Sequence, residues 1–334
     1  MFGRIWMPLF IAHLSVVPAW MANADSPQFQ VCESTSLPSN LPKQNFTNSY
    51  HGVLALMSAH HSASDEIAVL GQGGQITGHF SYGPLRTNLH GERIEVLIDN
   101  CQGGYRILGS GATDHDGRFN LDLTPEQLPP VGRFAIYQRV VGDNTVAKST
   151  LRVLPRGTHL VVFDLDGTLT TSSTEMVRSV VENILNHGYS PQARSGAQEV
   201  TRQIYNTLGY EVVYLSARIY PLTDLTRSWL SNFVPGTIRM AEHLSEVFGN
   251  NDAAGEYKAK YMLKLASQGL KIDAGYGDLL SDIYAYKKAG IAPGSIFMLG
   301  ANGGAEGTVD LGDGYDAHIR QLQSARRVSQ PFVR

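Results

Sequence analysis

VVFDLDGTLT, residues 161–170, decides how the second half of this chain folds. Three apolar residues lead straight into Asp164 and Asp166, and Gly167 and Thr168 follow at once. A short apolar run bounded by a turn reads as a buried strand. Its two carboxylates then stand at the strand's carboxyl end. Like charges at this spacing repel, and burying them is costly unless something positive meets them. The stretch therefore asks for a cation, a lysine or both from elsewhere in the chain. For DxDG taken alone, an Asp-rich turn is the plain alternative.

Working outward, the rhythm after Pro155-Arg156-Gly157 alternates apolar strands with helical stretches: HLVVFDLD, YEVVYLSAR and SIFMLG, with a weaker strand around IDAGYGD. That alternation predicts a parallel, doubly wound α/β sheet, in which ligands bind beyond the carboxyl ends of the strands. Ser216, in YLSAR, and Asp278 and Asp282, in GDLLSD, are expected at the same end as Asp164 and Asp166. Carboxylates converging there suit Mg²⁺, which takes oxygen ligands and commonly shares them with substrate phosphate. Lys258, in GEYKAKYM, offers a further positive charge, with Lys260 as its rival. Ser216 has a hydroxyl to donate to a phosphate oxygen. Gly167 and Thr168 open a turn whose backbone N–H groups would face an anion.

Upstream the pattern is different. From about residue 49 to 155 the runs are short, evenly spaced and bounded by turn residues: IAVLG, QITGHFSYG, RIEVLID, YRILGSG, RFNLDL, RFAIYQRV and AKSTLRVL. Arg93–Asp99 alternates polar with apolar, as a half-buried strand does. Such strands with no helix among them predict an immunoglobulin-like β-sandwich. Asp114-His115-Asp116-Gly117 reads as a hairpin turn, and His60-His61 as exposed loop. Residues 25–48, rich in Ser, Pro, Asn and Gln, read as a linker. Residues 1–24 carry an early arginine, an apolar run and an Ala22-Asn23-Ala24 cleavage pattern, which reads as a signal peptide and an exported protein; an uncleaved anchor is the alternative. The domains expected are therefore 1–24, 25–48, 49–155, an α/β domain over 157–322, and a mildly basic, solvated tail over 323–334. Cys32 and Cys101 are the two cysteines; an oxidising compartment lets them pair, but sequence does not fix their distance.

Composition sets bounds on all this. The chain has 334 residues, 43% hydrophobic and 17% charged, with a net charge of −3. That is globular composition for two domains, and without a concentrated basic surface it excludes nucleic acid as the expected partner. SSTEMVRSVVENILNHG, residues 172–188, places Met176, Val177, Val180, Val181, Ile184 and Leu185 on one helical stripe behind a Ser172/Glu175 capping box. Core packing or a dimer face is its plain reading, and a lid or membrane-facing helix the sharper one.

DLDGT, then YLSAR, a lysine and GDxxxD resembles the haloacid-dehalogenase superfamily of phosphohydrolases. YLSARIYPLTDLTRSWL is similar to the LNS2 region of lipins, the Mg²⁺-dependent phosphatidate phosphatases. The wider run from GHFSYGPL through LHGERIEVLI to LRVLPRGTHLVVFDLDGT resembles the C-terminal part of the Nir/RdgB-type membrane-associated phosphatidylinositol transfer proteins. The resemblance covers roughly residues 75–320 and leaves out the lipid-carrying domain. In Nir-type proteins the first aspartate of the motif is generally lost and the domain binds phosphatidate without hydrolysing it; here DLDGT is intact. The resemblance implies Asp164 as nucleophile, Asp166 as general acid and then base, Ser216 to orient the phosphoryl group and Lys258 to stabilise its charge. It also implies Mg²⁺ on Asp164, Asp278 and the backbone carbonyl of Asp166, with Asp282 in support. The substrate so implied is phosphatidic acid or a related phospholipid at a membrane surface. A non-catalytic phosphatidate-binding module and a phosphatase of small soluble esters are the alternatives.

Overall fold

The structure, a computed structural model, describes residues 26–33, 37, 41–171, 191–242 and 253–334. The expected signal peptide and the apolar stripe of 172–188 lie outside the described residues.

The first half is a β-sandwich. Its strands are β1 (Gln30–Cys32), β2 (Ser62–Ala63), β3 (Glu66–Val69), β4 (Gly74–His79), β5 (Ser81–Tyr82), β6 (Thr87–Asn88), β7 (Arg93–Asp99), β8 (Tyr105–Ala112), β9 (Arg118–Leu123), β10 (Gly132–Val140) and β11 (Val146–Leu154). One sheet runs β3-β11-β10-β7-β8 with β1 added beside β10; the other runs β2-β4-β9, and β5 pairs with β6. Between the sheets Ile76 and Phe119 meet Val96, Ile98, Phe134 and Ile136. The alternation read in Arg93–Asp99 holds for Ile94 and Val96, then fails. The register against β8 shifts between Val96 and Leu97, and both Leu97 and Ile98 are buried.

Three expectations are corrected here. The stretch 25–48 is not merely a linker: β1 pairs in parallel with β10, and Cys32 is bonded to Cys101. The β region does contain a helix, α1 (Ser49–Leu54), because Asn48 caps it and buried Glu92 accepts from the backbone N–H of Thr47 and Asn48 and from His51. His61 is buried rather than exposed, its ring against Phe80 and Tyr82 and its Nε2 2.8 Å from Thr145 Oγ1. The turn at Asp114–Gly117 is present, closed by Gly117 N–H donating to Asp114 O.

The second half is built on a six-stranded sheet of β12 (His159–Phe163), β13 (Glu211–Ile219), β14 (Thr237–Ala241), β15 (Lys271–Gly277), β16 (Ile296–Met298) and β17 (Val309–Asp310). The order is β14-β13-β12-β15-β16-β17, and every pairing is parallel. Described helices are α2 (Ala197–Arg202), α3 (Thr223–Leu230), α4 (Ala253–Ser267), α5 (Leu280–Lys288) and α6 (Asp316–Leu322). Successive strand residues face opposite sides, so Val162 packs with Tyr257 and Met262 of α4, whereas Val161 and Phe163 pack with Val200 of α2 and Trp229 of α3. The chain enters the sheet in the middle, moves one way to β14 and returns to β15 on the other side of β12. Loops therefore diverge at the carboxyl end of β12, where such sheets open a crevice.

The two halves share a core. Ile67 and Val69 of β3 and Leu154 of β11 pack with Val162, Val213 and Met262. Ion pairs cross the same boundary. Glu66 meets Lys264 at 2.6 Å, Asp65 meets Arg227 at 2.9 Å and accepts from Ile238 N–H, and Arg152 pairs with Glu211. Residues 323–327 of the tail are exposed as expected, but 328–334 are not simply solvated. This amphipathic end docks: Phe332 is buried, Arg334 pairs with Glu211 and lies over the Tyr205 ring, and Val333 exchanges backbone hydrogen bonds with Pro27 and Phe29.

Candidate metal and phosphate site

Asp164 stands one residue past β12, 4% exposed, its N–H donating to Tyr276 O of the neighbouring strand. Lys258 enters from α4, buried, and donates to Asp164 Oδ1 and Asp282 Oδ1, both at 2.6 Å. Lys260, two positions on, is exposed; half a helical turn carries it to the far side, so Lys258 is the lysine of the site. Asp282 sits in the first turn of α5, fully buried, where its Oδ2 accepts from the N–H of Asp278 and Leu279 at 3.2 and 3.1 Å. It is thus both the cap of α5 and the second anchor of Lys258.

Among the described residues, Asp164, Asp278 and Asp282 form a group whose carboxylate oxygens lie within 4.8 Å of one another. Burial pushes the Asp164 carboxyl up to about 7; Lys258 opposes the rise, and Asp282 and Asp166 add to it. Burial likewise pushes Asp278 up to about 8, with Asp164 and Asp282 adding to it. Lys258 is held well above its usual range by the same two aspartates against the cost of its own burial. One lysine thus faces three carboxylates.

Gly167 has φ +80°, and a Cβ there would come within 2.0 Å of Asp278 Oδ2. Glycine is required for the turn and for the carboxylate's approach. Its N–H is not free for an anion, contrary to expectation: it donates to Thr170 Oγ1 at 3.0 Å. Thr168 is buried, its Oγ1 3.4 Å from Asp278 Oδ1. Ser216 is buried on β13, and its Oγ accepts from Arg218 N–H at 3.1 Å. The Asp166 carboxylate lies outside the cation group and faces Arg218 of β13 instead.

Three residues of the site were not assigned from sequence. Arg218 grips Asp166; Asn302 donates from Nδ2 to Asp278 O at 2.6 Å; Arg194 donates from Nη2 to Gly167 O at 2.6 Å. Arg218 had one signal available, its i+2 spacing from Ser216, which puts both on one face of a strand. Asn302 and Arg194 had none. Asp310, Asp313 and Asp316 do not join the cation group; Asp310 Oδ1 closes a turn by accepting from Gly312 N–H.

Comparison with known proteins follows the same division. The family described as PITM 1-3, LNS2 domain, matches residues 161–300, and PITM 1-3, beta-sandwich domain, matches residues 59–153. Human membrane-associated phosphatidylinositol transfer protein 1 is 30% identical over 310 residues, 90% of this chain and 23% of that protein. Protein retinal degeneration B of Drosophila melanogaster is 32% identical over 277 residues, 80% of this chain and 20% of that protein. Mouse membrane-associated phosphatidylinositol transfer protein 3 is 31% identical over 279 residues, 81% of this chain and 27% of that protein. The chain spans a fifth to about a quarter of the length of these relatives.

Proposed function

From a chain that belongs to the LNS2 family of the PITM type, with that family's β-sandwich joined to it, we propose a Mg²⁺-dependent phosphatase acting on phosphatidic acid or a related phospholipid monoester at a membrane surface. The observation that carries this reading is the buried carboxylate of Asp164, backed by Lys258 at 2.6 Å and grouped with Asp278. A haloacid-dehalogenase-like sheet and an immunoglobulin-like sandwich are the finer fold assignments that go with it. The Cys32–Cys101 disulfide supports the accompanying proposal that the protein works outside the cytoplasm.

The donor set fits the cation. Three carboxylates with one lysine leave negative charge uncompensated, and hard oxygen donors of this kind hold Mg²⁺. Asp164 and Asp278 would hold it, with Asp282 bracing them. Mg²⁺ would supply charge neutralisation to the carboxylates and the phosphate.

The chain's own residues would do the rest. Asp164 attacks phosphorus; the bond from phosphorus to the alkoxide oxygen breaks, and that oxygen takes a proton from the Asp166 carboxyl. Water then attacks the aspartyl-phosphate and gives its proton to Asp166. The bond to Asp164 breaks, restoring its carboxylate and releasing phosphate. Splitting one difficult hydrolysis into two displacements is the gain of covalent catalysis. Lys258 stays fixed on Asp164 throughout, and Ser216 orients the phosphoryl oxygens.

The test is phosphate release from phosphatidate vesicles with Mg²⁺ or EDTA, beside vesicle sedimentation of the same samples. Wild type is expected to release phosphate only with Mg²⁺. Asp164→Asn should lose at least about 10³-fold in turnover, because the covalent route is gone, while still sedimenting. Wild type that sediments with phosphatidate and releases nothing, indistinguishable from Asp164→Asn, replaces the enzyme with a lipid-binding module. Turnover of soluble esters alone replaces the lipid substrate.

A further inference from the structure

Arg218 is fully buried, and all three guanidinium nitrogens are engaged. Nε donates to Asp166 Oδ2 at 2.9 Å and Nη2 to Asp166 Oδ1 at 2.8 Å. Nη1 donates to Thr226 Oγ1 of α3 at 3.0 Å. A planar fork on both oxygens fixes the plane as well as the place of a carboxylate. The side chain of Asp166 retains 12% exposure, so the fork does not bury it completely.

Three carboxylates could gather round a cation beside Asp164: those of Asp278, Asp282 and Asp166. Asp278 and Asp282 each bring an oxygen within 4.8 Å of Asp164 and of each other, and the Asp166 carboxylate is not in that group. Yet Asp166 is near enough for its charge to act on Asp164. Released from the Arg218 fork, the Asp166 carboxylate would be free to turn toward a cation held by Asp164 and Asp278. There it would be lost as a proton donor and acceptor. The tether that prevents this comes from β13 and is braced by α3, away from the loops of the site.

We propose that Arg218 is the positioning residue of Asp166: it holds that carboxylate out of the cation cluster and aims it at the leaving oxygen. The inference rests on the phosphatase reading above. Thr226 braces the guanidinium, so the line of support runs Thr226, Arg218, Asp166.

Leaving-group dependence distinguishes this role from a structural one. Protonation matters for an alkoxide leaving group and little for 4-nitrophenolate. General acid catalysis typically contributes about 10²- to 10⁴-fold. Asp166→Asn and Arg218→Lys should each cut kcat/KM for short-chain phosphatidate, which reports aspartyl-phosphate formation, by about 100-fold or more, and kcat/KM for 4-nitrophenyl phosphate far less; kcat, which includes the shared water step, should fall on both. Asp166→Asn combined with Arg218→Lys should be no slower on phosphatidate than Asp166→Asn alone. Thr226→Val, nearly isosteric, should show the same selective loss at several-fold, and serves if Arg218→Lys does not fold. Equal losses in kcat/KM on both esters, or losses that multiply in the double variant, overturn the positioning role and leave the phosphatase standing. Wild type inactive on both esters overturns the phosphatase reading and this inference with it.

Discussion

At the scale of single residues the site is governed by charge excess. Asp164 and Asp278 are pushed up from 3.8 to about 7 and about 8. A carboxyl raised on folding favours the native state while it keeps its proton. Its stabilisation is complete below about pH 4 and is lost as pH rises through 7 and 8. Mg²⁺ held by these carboxylates would displace those protons and remove the penalty. The gap in melting temperature between Mg²⁺ and EDTA is therefore expected to widen from pH 6 to pH 8.5; a gap that stays constant or narrows would show that these carboxylates do not hold the cation. Asp164, Asp166, Asp278 and Lys258 were legible in the sequence because DxDG, a lysine and GDxxxD are short-range patterns. Arg218 was not. An arginine ending a strand reads as a solvated edge, and its partner lies 52 residues away.

Single elements carry these residues into place. Asp282 links two helices, capping α5 with one oxygen and holding Lys258 of α4 with the other. Asp282→Ala leaves Lys258 with one carboxylate partner and takes the acceptor from the N–H groups of Asp278 and Leu279 that lead into α5. Breaking a buried pair this way costs about 3–5 kcal/mol, to be read from urea denaturation; Asp282→Asn should recover about 1 kcal/mol of it through the retained cap. A loss below about 1 kcal/mol for Asp282→Ala would mean that Lys258 needs only Asp164. Strands β12 and β13 were plain in the sequence because their apolar runs are unbroken. β14 was missed because Arg239 interrupts TIRMA. That arginine is mostly buried, paired with Glu242 at 2.7 Å, and pushed above its usual range by neighbouring acids despite the cost of burial.

For the whole molecule, the boundary between sandwich and parallel sheet behaves as interior. Its apolar cluster mixes Ile67, Val69 and Leu154 with the sheet, and Asp65, Glu66 and Arg152 are buried against partners in the second half. A fragment of residues 157–334 should aggregate or unfold, and co-expression with residues 26–155 should recover a folded complex. Independent cooperative melting of the fragment would refute this. Sequence separated the halves by rhythm but hid their union. Acidic residues opening a short strand read as solvent-facing, and their partners sit as far as 198 residues along. The zipper of Phe29 N–H to Val333 O and Val333 N–H to Pro27 O brings the two ends of the fold within one peptide pair of each other. A circular permutant is therefore geometrically open: residue 334 can be spliced to residue 26 through a few glycines, and new ends cut at the exposed turn His115–Asp116.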